Sequence, residues 1–425
     1  MQPAGRIAPI PPWMERAETR TLLAALAREG ALARFVGGCV RDAVLGRPGQ
    51  DIDIAIDRPP DEIMRLLAAG GIRALPTGLA HGTVTARIGV DHFEITSLRR
   101  DVETFGRHAR VAFTDDWQAD AARRDFTINA LFADPDGTLY DPIGGLADLA
   151  AGRVRFVGEP GLRIAEDALR LLRFFRFHAY YGRGEPDGAA VDACAAAAAA
   201  LDGLSGERLW GELKRLLLAP APNRVLATMA ACSVLAHLLP APADIARLAR
   251  LCPIEAAVAA PDALRRLAAL LPLISKPAAA AALRLALAAR LALAVRLALA
   301  RAEARRLSGL VRPLPGLDAA PSAPALHRLL YREGRERVRD HLLLDWAGDP
   351  ASSPTDETRL RLVGQVEDWA PPLLPVRGED ILALGVAAGP EVGRLLARIE
   401  AWWEAGDFRA GRPAALAELR RLAGR

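Results

Sequence analysis

Two aspartates, Asp51 and Asp53, stand one residue apart in the otherwise apolar run "DIDIAI". Side chains two positions apart on a β-strand point to the same face, so an extended run brings both carboxylates together. Neighbouring negative charges repel each other unless a cation neutralises them, and oxygen ligands of this type suit Mg²⁺ shared with a nucleoside triphosphate. The pattern predicts a magnesium site at Asp51 and Asp53; the alternative is a strand end with two solvated aspartates.

A glycine pair, Gly37 and Gly38, lies upstream of these aspartates, between the predicted strand "ARFV" and the predicted helix "CVRDAVLG". Glycine lets a chain turn sharply and lets a ligand approach the backbone closely. The N–H groups at a helix start favour phosphate, and Arg41 in the same helix adds a bidentate donor. The stretch therefore predicts a phosphate-binding turn, although a plain tight turn explains the glycines alone equally well.

The elements that must position these residues change in character near residue 150. Before that point, short β-branched or aromatic runs such as "TVTARIGV" and "HFEITSL" are separated by helical stretches such as "PDEIMRLLAAGG". After it, Ala, Leu and Arg recur at helical spacing, and no run has the pattern of a strand. The predicted fold class is an α+β N-terminal domain followed by an all-helical remainder.

The charge of the chain is carried almost entirely by arginine and by acidic residues. Basic residues number 55 against 51 acidic ones, and only Lys214 and Lys276 are lysines. The arginine excess reflects either a compositional bias of the chain or a phosphate-rich partner. Residues 151 to 183 hold seven arginines against three acidic residues, and this clustering favours phosphate contacts in that region.

Cysteine usage and apolar runs indicate the compartment. Cys39, Cys194, Cys232 and Cys252 include no CxxC pair, which indicates reduced thiols in a cytoplasmic protein. The N-terminal stretch lacks the apolar core of a signal peptide. The apolar region that begins at Ala279 is interrupted by arginines, each costly at a bilayer centre, so a helix outside the membrane is predicted. We therefore expect a cytoplasmic protein without a membrane partner.

The glycine turn and the aspartates together resemble a known signature. "GGCVRD", followed after a short spacer by "DIDIA", closely resembles the nucleotidyltransferase superfamily whose class II branch holds the tRNA CCA-adding enzymes and the bacterial poly(A) polymerases. The resemblance continues in order with "RRDFTINAL" at 123 to 131, "DPIGGLADLAAGRVRFVG" at 141 to 158, "AEDALRLLRFFRF" at 165 to 177 and "LSGERLWGELKRLL" at 204 to 217. These motifs cover roughly the first half of the chain, and the rest resembles the family only in being helical.

The resemblance implies a palm-like nucleotidyltransferase domain with a mixed sheet, followed by an all-α neck, body and tail. The predicted divisions are an N-terminal helical lead-in (1–30), the catalytic domain (31–150), a nucleotide-selecting neck (151–220), an RNA-binding body (221–370) and a tail (371–425). The Pro-rich stretches "LLAPAPN" and "DWAPPLLPVRGED" lie at the last two boundaries.

Two further site residues follow from the family pattern. Arg123 and Arg124 are adjacent and cannot share a helix face, so only one is expected to point into a site. The pattern favours Arg124 as the nucleotide contact; the alternative, a basic surface pair with Asp125 as a structural salt-bridge partner, fits Arg123 better than Arg124. Glu94 lies on the predicted strand "HFEITSL". In this superfamily a third carboxylate on a neighbouring strand completes the metal site or helps to deprotonate the attacking hydroxyl, which adds Glu94 to the catalytic set.

The stretch "EDALRLLRFFRF" is predicted to be one helix in which Asp167 and Arg170 are neighbours on one face. Arg173 and Arg176 continue this nucleotide-binding series. A carboxylate beside a guanidinium presents an acceptor next to a donor, which matches the Watson–Crick edges of cytosine and adenine but not those of guanine and uracil. In the family this helix is a protein template for CTP and ATP, which implies Asp167 and Arg170 as base readers. The alternative, an intrahelical salt bridge, fits Glu166 with Arg170 equally well.

The predicted function is magnesium-dependent addition of CMP, CMP and AMP to the 3′ end of tRNA from CTP and ATP. A poly(A) polymerase on the same fold and a non-catalytic RNA-binding module are the alternatives, but binding alone gives no reason to keep both aspartates together. The basic loop "VETFGRHAR" departs from the family's pattern, and its loss is linked in the family to enzymes that stop after adding CC. The sequence leaves the oligomeric state open.

Overall fold

The structure is a computed structural model that describes the 425 residues except 50, 106–107, 273–279, 311–313, 315, 318–320 and 425. For residues 80, 101–105, 108–111 and 280–283 it describes the backbone alone. The chain divides into two compact units, Met1–Pro240 with Arg296–Ala298 and Ala241–Val295 with Leu299–Arg425. All of the candidate site residues belong to the first unit.

Ten strands are present in the described part of the first unit. They are β1 (Gly5–Arg6), β2 (Ala33–Val36), β3 (Asp53–Ile56), β4 (Arg73–Gly78), β5 (Thr83–Ile88), β6 (Asp91–Ser97), β7 (Arg99–Phe105), β8 (His108–Phe113), β9 (Phe132–Ala133) and β10 (Thr138–Tyr140). Eight of them form one sheet in the order β1-β10-β9-β2-β3-β6-β5-β4, and β7 pairs with β8 separately. The strands predicted from "ARFV", "TVTARIGV" and "HFEITSL" are confirmed.

Strand β3 lies near the middle of the sheet, antiparallel to β2 and parallel to β6. Ile54 and Ile56 of β3 and Ile95 of β6 have no exposed surface, because helices and neighbouring strands cover this part of the sheet. The parallel register pairs Asp53 with Glu94. The sheet mixes parallel and antiparallel pairs, which confirms the predicted mixed sheet.

The described helices of the first unit surround this sheet and then continue the chain. They are α1 (Pro12–Glu15), α2 (Ala17–Leu26), α3 (Gly38–Val44), α4 (Pro60–Ala69), α5 (Trp117–Ala122), α6 (Gly145–Ala151), α7 (Pro160–Glu166), α8 (Leu169–Tyr181), α9 (Gly188–Ala196), α10 (Gly206–Leu217) and α11 (Pro222–Ala231). Helices α2 and α4 pack against the sheet through buried side chains such as Leu22 and Ile63, and α8 packs against α10.

Helices are the regular secondary structure of the described residues of the second unit. Its helices are α12 (Ile245–Val258), α13 (Ala263–Leu270), α14 (Ala280–Arg296), α15 (Arg301–Gly309), α16 (Ala323–Glu333), α17 (Arg335–Gly348), α18 (Glu357–Asp368), α19 (Gly378–Ala383), α20 (Pro390–Ala405) and α21 (Arg412–Ala423). The predicted helical remainder is therefore confirmed for the part of the chain that is described. No helix in that part combines the length and the apolar character needed to cross a membrane.

Two local predictions are corrected by the structure. Strand β3 begins at Asp53, so Asp51 precedes the strand instead of sharing it. The stretch "EDALRLLRFFRF" is not one helix, because Asp167 stands between α7 and α8 in an extended conformation with φ −154° and ψ 108°. The Asp167 carboxylate accepts a hydrogen bond from the Leu169 N–H at 3.1 Å. Such local bonding is how aspartate competes with a continuous helix.

Candidate active site

Four carboxylates, those of Asp51, Asp53, Asp91 and Glu94, line one cavity of about 660 Å³ in the first unit. Asp53 and Glu94 are paired across β3 and β6, and Asp51 joins them from the bend that precedes β3. Arg173 of α8 and Arg215 of α10 line the same cavity. Arg16 also lines it, with Nη1 3.9 Å from the Asp91 carboxylate, so the cavity combines a cluster of negative charge with three guanidinium groups.

Burial and neighbouring charges change the pKa of Asp53. Burial, followed by the negative charge of Glu94, raises the pKa of Asp53 from its ordinary 3.8 to about 6. The positive charge of Arg124 opposes the rise, and the charge of Asp51 adds a smaller contribution to it. Within the described residues no ion pair neutralises Asp51, Asp53 or Glu94, whereas the fourth carboxylate, Asp91, pairs with Arg16. A cation bound at this point would relieve their repulsion.

The chemistry of the donor set fits Mg²⁺. Carboxylate oxygens are the ligands that this ion prefers in proteins. Among the residues whose positions are described, no group of three or more His, Cys, Asp or Glu side chains could hold a metal ion. Mg²⁺ usually takes only one or two protein carboxylates and completes its coordination with water and substrate phosphates. The pair Asp51 and Asp53 is therefore suited to an ion shared with a phosphate-bearing ligand.

The glycine pair forms the turn between β2 and α3. Gly37 has φ 74° and ψ −125°, a conformation that residues with a side chain rarely adopt. A Cβ at Gly37 would lie 3.6 Å from Nη1 of Arg124, so the turn and this arginine are neighbours. A Cβ at Gly38 would meet Nη2 of Arg41 at 3.7 Å, an ordinary contact distance. The strict requirement for glycine is therefore at Gly37.

Arg123 and Arg124 both bind the buried carboxylate of Asp120. Nη2 of Arg123 lies 2.5 Å from one carboxylate oxygen, and Nη2 of Arg124 lies 2.9 Å from the other. Both arginines thus share one buried partner, and the prediction that only Arg124 points into the site stays a prediction. Helix α5 ends at Ala122, so the rule for helix faces does not apply to the two arginines that follow it.

Arg41 lies outside the lining of the cavity. Its Nη1 donates to Oδ1 of Asn129 at 2.6 Å, and its Nε and Nη2 donate to the carboxylate of Asp42 at 3.0 Å. The guanidinium lies 4.0 Å above the ring of Tyr181, and the residue is only 6 % exposed. Arg41 thus joins α3 to α8, and its contact with phosphate stays a prediction.

Arg173 and Arg176 are held by acidic residues from outside α8. Nε of Arg173 donates to Asp125 at 2.8 Å. Burial alone would raise the pKa of Asp125, but the charge of Arg173 and a hydrogen bond from Asn129 bring it below its ordinary value. Glu212 of α10, which is buried, lies 2.5 Å from Nε of Arg176 and 3.5 Å from Nη1 of Arg173. The orientation of both arginines therefore depends on tertiary contacts.

Asp167 and Arg170 do not pair with each other. Oδ2 of Asp167 accepts a hydrogen bond from Nη2 of Arg208 at 2.7 Å. Arg170 pairs with Glu166 and donates to the carbonyl oxygen of Arg163 at 3.2 Å. The predicted side-by-side placement on one helix is therefore wrong, and the alternative pair of Glu166 with Arg170 is present. The base-reading role of Asp167 and Arg170 stays a prediction.

The structure brings together part of the predicted set. Of the predicted residues, Asp51, Asp53, Glu94 and Arg173 line the cavity. Gly37 and Arg124 lie outside the lining but are neighbours of each other, and the positive charge of Arg124 lowers the pKa of Asp53. The other predicted residues also lie outside the lining; these are Gly38, Arg41, Asp167, Arg170 and Arg176.

Sequence reasoning missed the charged face of α10. Arg208, Glu212 and Arg215 follow one another at spacings of four and three residues and lie on neighbouring turns. Opposite charges at such spacings on an amphipathic helix were the available signal. The centre of the loop "VETFGRHAR", residues 106–107, and the side chains of 101–111 lie outside the described residues.

Comparison with known proteins gives consistent matches along the chain. Residues 33–155 match the family described as "Poly A polymerase head domain", and residues 186–245 match "Probable RNA and SrmB- binding site of polymerase A". The chain is 34% identical to the mitochondrial CCA tRNA nucleotidyltransferase 1 of Mus musculus over 404 residues, which cover 92% of this chain and 87% of the mouse protein. It is 39% identical to the CCA-adding enzyme of Limosilactobacillus fermentum over 215 residues, 49% of this chain and 52% of that enzyme.

Solved structures are similar over nearly the whole chain. The Bacillus stearothermophilus CCA-adding enzyme in complex with CTP matches with a TM-score of 0.72 and 25% identity, covering 97% of this chain and 98% of that one. The Thermotoga maritima CCA-adding enzyme complexed with tRNA_CCA matches with a TM-score of 0.63 and 20% identity, covering 100% of both chains. The second similarity concerns the fold alone.

Proposed function

The chain belongs to the CCA-adding tRNA nucleotidyltransferase family, and from this premise we propose that the cavity of Asp51, Asp53 and Glu94 is its catalytic centre. The enzyme adds CMP, CMP and AMP to the 3′ end of tRNA and uses CTP and ATP as substrates. The observation that carries the assignment of the site is the convergence of Asp51, Asp53, Glu94 and Arg173 on one cavity. Such convergence suits phosphoryl chemistry, because the carboxylates can hold a cation while the arginine faces phosphate.

In each addition, the terminal ribose hydroxyl of the tRNA attacks the α-phosphate of the incoming nucleotide. A new P–O bond forms, the bond to pyrophosphate breaks, and the hydroxyl proton is released. Glu94, paired with Asp53 across two strands, is placed either to complete the carboxylate set or to receive that proton. Arg173 and Arg215 on the wall of the cavity stabilise the negative charge of the triphosphate and of the departing pyrophosphate.

Enzymes of this family are generally metal-dependent, and we propose that the metal is Mg²⁺ held by Asp51 and Asp53. When bound, the ion supplies Lewis-acid polarisation of phosphate oxygens. The raised pKa of Asp53 supports this assignment, because a carboxylate destabilised by its burial and its neighbours gains most from a cation.

The glycine turn is proposed to hold the triphosphate. Arg124 binds Asp120 through Nε and Nη2, which leaves Nη1 on the side of Gly37. Gly37 and Gly38 keep the backbone free of side chains at this point, so a phosphate can approach it closely. Arg41, committed to α8 in the structure, would contribute by holding α3 in place.

Base selection is proposed to lie with Asp167 and Arg170 at the start of α8, with Arg176 supporting the helix. Cytosine and adenine each present an amino donor beside a ring-nitrogen acceptor, so a carboxylate and a guanidinium complement both bases. Guanine and uracil would leave a buried polar group unpaired, which costs about 1–3 kcal/mol per group. In this arrangement Arg170 exchanges its partner Glu166 for the base.

The experiment uses purified protein, tRNA that ends just before its CCA, Mg²⁺ and each labelled nucleotide separately and in combination. We expect two CMP additions from CTP alone, a single following AMP when ATP is added, and no addition from UTP or GTP. Asp51→Ala and Asp53→Ala should abolish incorporation while tRNA affinity stays within about threefold, because phosphate contacts elsewhere dominate binding. Repeated AMP addition from ATP alone would instead identify a poly(A) polymerase. Substantial turnover by both variants would refute the assignment of the carboxylates.

The predicted five-part division and cellular location belong to the same proposal. The match of residues 33–155 to a head domain supports a catalytic domain at 31–150 followed by helical neck, body and tail. The four free cysteines agree with a reducing compartment, which supports the cytoplasm. The mouse and human relatives are mitochondrial by name.

A further inference from the structure

Helix α10 carries charged groups that bind the residues proposed to read the nucleotide. Arg208 lies 2.7 Å from Asp167, and Glu212, one turn later, binds Arg176 and Arg173. Arg208 and Glu212 are four residues apart, so they share one face of α10. That face therefore meets both the residue at the break between α7 and α8 and the arginines of α8.

The carboxylate of Asp167 is held from two sides. Oδ1 accepts the N–H of Leu169 at 3.1 Å, and Oδ2 accepts Nη2 of Arg208 at 2.7 Å. One donor belongs to the start of α8 and the other to a helix 41 residues further along the chain. The backbone at Asp167 is extended, and it is held by the last hydrogen bond of α7, from its N–H to the carbonyl oxygen of Arg163 at 3.4 Å, and by the N–H of Arg170, which donates to its carbonyl oxygen at 3.0 Å. These backbone bonds do not orient the side chain. The two hydrogen bonds to the carboxylate are therefore what sets its plane.

We infer that Arg208 is a positioning residue that determines base specificity by fixing Asp167 as a hydrogen-bond acceptor. The inference rests on the proposed role of Asp167 as a base reader. A guanidinium has only donors, so the carboxylate oxygen that faces it must be an acceptor. With its orientation fixed, Asp167 offers its remaining lone pairs to an amino group, which cytosine and adenine have at the relevant edge. Uracil and guanine place a carbonyl oxygen there and would meet an acceptor with an acceptor.

Access to the base is compatible with this arrangement. The side chains of Arg208 and Asp167 are 26% and 24% exposed, so an incoming base can reach the carboxylate without separating the pair. Each carboxylate oxygen accepts more than one hydrogen bond, so Arg208 and a base amino group can be bound together. Arg208 itself need not touch the nucleotide.

A purely structural ion pair between α7 and α10 is the competing explanation, and it predicts different measurements. Such a pair would change the melting temperature and would change the rates with all nucleotides in the same proportion. A positioning role changes the ratio of kcat/KM for CTP over UTP, because only discrimination depends on the orientation of Asp167. It also makes the effects of Arg208 and Asp167 on that ratio non-additive.

The experiment measures this ratio on tRNA that ends before its CCA, for the wild type, Arg208→Met, Arg208→Lys, Asp167→Ala and the double variant Arg208→Met/Asp167→Ala. We expect Arg208→Met to lower the ratio at least about tenfold, a loss of discrimination of about 1.4 kcal/mol. Arg208→Lys, which keeps a cationic donor, should recover part of the ratio. The double variant should be no less selective than Asp167→Ala alone. Arg208→Gln replaces Arg208→Met if the latter does not fold, with the same expected direction.

Glu207→Gln is the matched control, because Glu207 is an exposed neighbour on the same helix and should leave the ratio unchanged. An unchanged ratio in the Arg208 variants, with a lowered ratio in Asp167→Ala, would overturn the inference and leave the base-reading role intact. An unchanged ratio in Asp167→Ala as well would overturn the inference and move base selection elsewhere. Failure of the wild type to incorporate CMP would refute the proposed function itself, a result distinguishable from the other two.

Discussion

Replacing Asp53 by asparagine should stabilise the metal-free protein at neutral pH while it removes activity. Asp53→Asn keeps the size of the side chain and removes the charge that burial, Glu94 and Asp51 destabilise. The pKa of Asp53 in the folded protein, about 6, is higher than its ordinary 3.8. Between these values the folded state binds more protons than the unfolded state, so stability falls as pH rises.

The magnitude follows from the two pKa values. The penalty on folding is about 3 kcal/mol at about pH 7.5 and shrinks to about 1 kcal/mol at about pH 4.5. Asp53→Asn should therefore raise the free energy of unfolding by up to about 3 kcal/mol at the higher pH, and by much less at the lower one. Activity should be lost in the same variant, because an amide is a poor ligand for a divalent cation compared with a carboxylate.

Urea denaturation in EDTA, followed by circular dichroism at both pH values, measures the effect. Asp61→Asn, which removes an exposed carboxylate from α4, is the control and should change stability by less than about 0.5 kcal/mol. Added Mg²⁺ should stabilise the wild type and narrow its difference from Asp53→Asn, because only the carboxylate form binds the ion well. A variant no more stable than the wild type at about pH 7.5, or an advantage that does not shrink on acidification, would refute the reasoning.

Three further substitutions test the framework of the site by urea denaturation. Gly37→Ala should lower the free energy of unfolding by about 1–3 kcal/mol, because Gly37 has a positive φ. Gly38→Ala should leave it within about 0.5 kcal/mol of the wild-type value, and equal losses in the two variants would contradict the conformational argument. Glu212→Gln should lower the free energy of unfolding by about 3 kcal/mol, because Arg173 and Arg176 lose the charge of their buried partner. An unchanged free energy of unfolding would show that the two arginines find another partner. Gly145→Ala should lower the free energy of unfolding by about 1–3 kcal/mol, because its Cβ would overlap the carbonyl oxygen of Thr127. An unchanged urea midpoint would show that α6 can shift freely.

The local elements of the catalytic domain could be predicted because their signals are local. Strand β3 is predicted by apolar residues around Asp53, and β6 by the alternation in "HFEITSL". The conformation of Gly37 is likewise consistent with a turn predicted from the glycine pair. Each of these predictions depends on residues within a few positions of one another, where backbone sterics and periodicity decide the outcome.

The partners of the charged side chains could not be predicted in the same way. Arg123 and Arg124 converge on Asp120, and Asp167 bonds to Arg208 and not to Arg170. An arginine has several acceptors within reach along the sequence, and their intrinsic energies differ by only a few tenths of a kcal/mol, roughly, when exposed. Burial decides among them, and burial depends on how the elements pack.

The sequence by itself determined the class of protein and the fold class, a mixed sheet followed by helices, and it predicted a carboxylate pair after a glycine turn as the centre. These follow from residue types and short spacings, which act before any tertiary contact forms. Only the tertiary structure decided that Glu94 stands opposite Asp53, because strand register joins residues 41 positions apart. It also decided that α10 holds Asp167, since a break in the helix at that residue freed its carboxylate for a distant arginine.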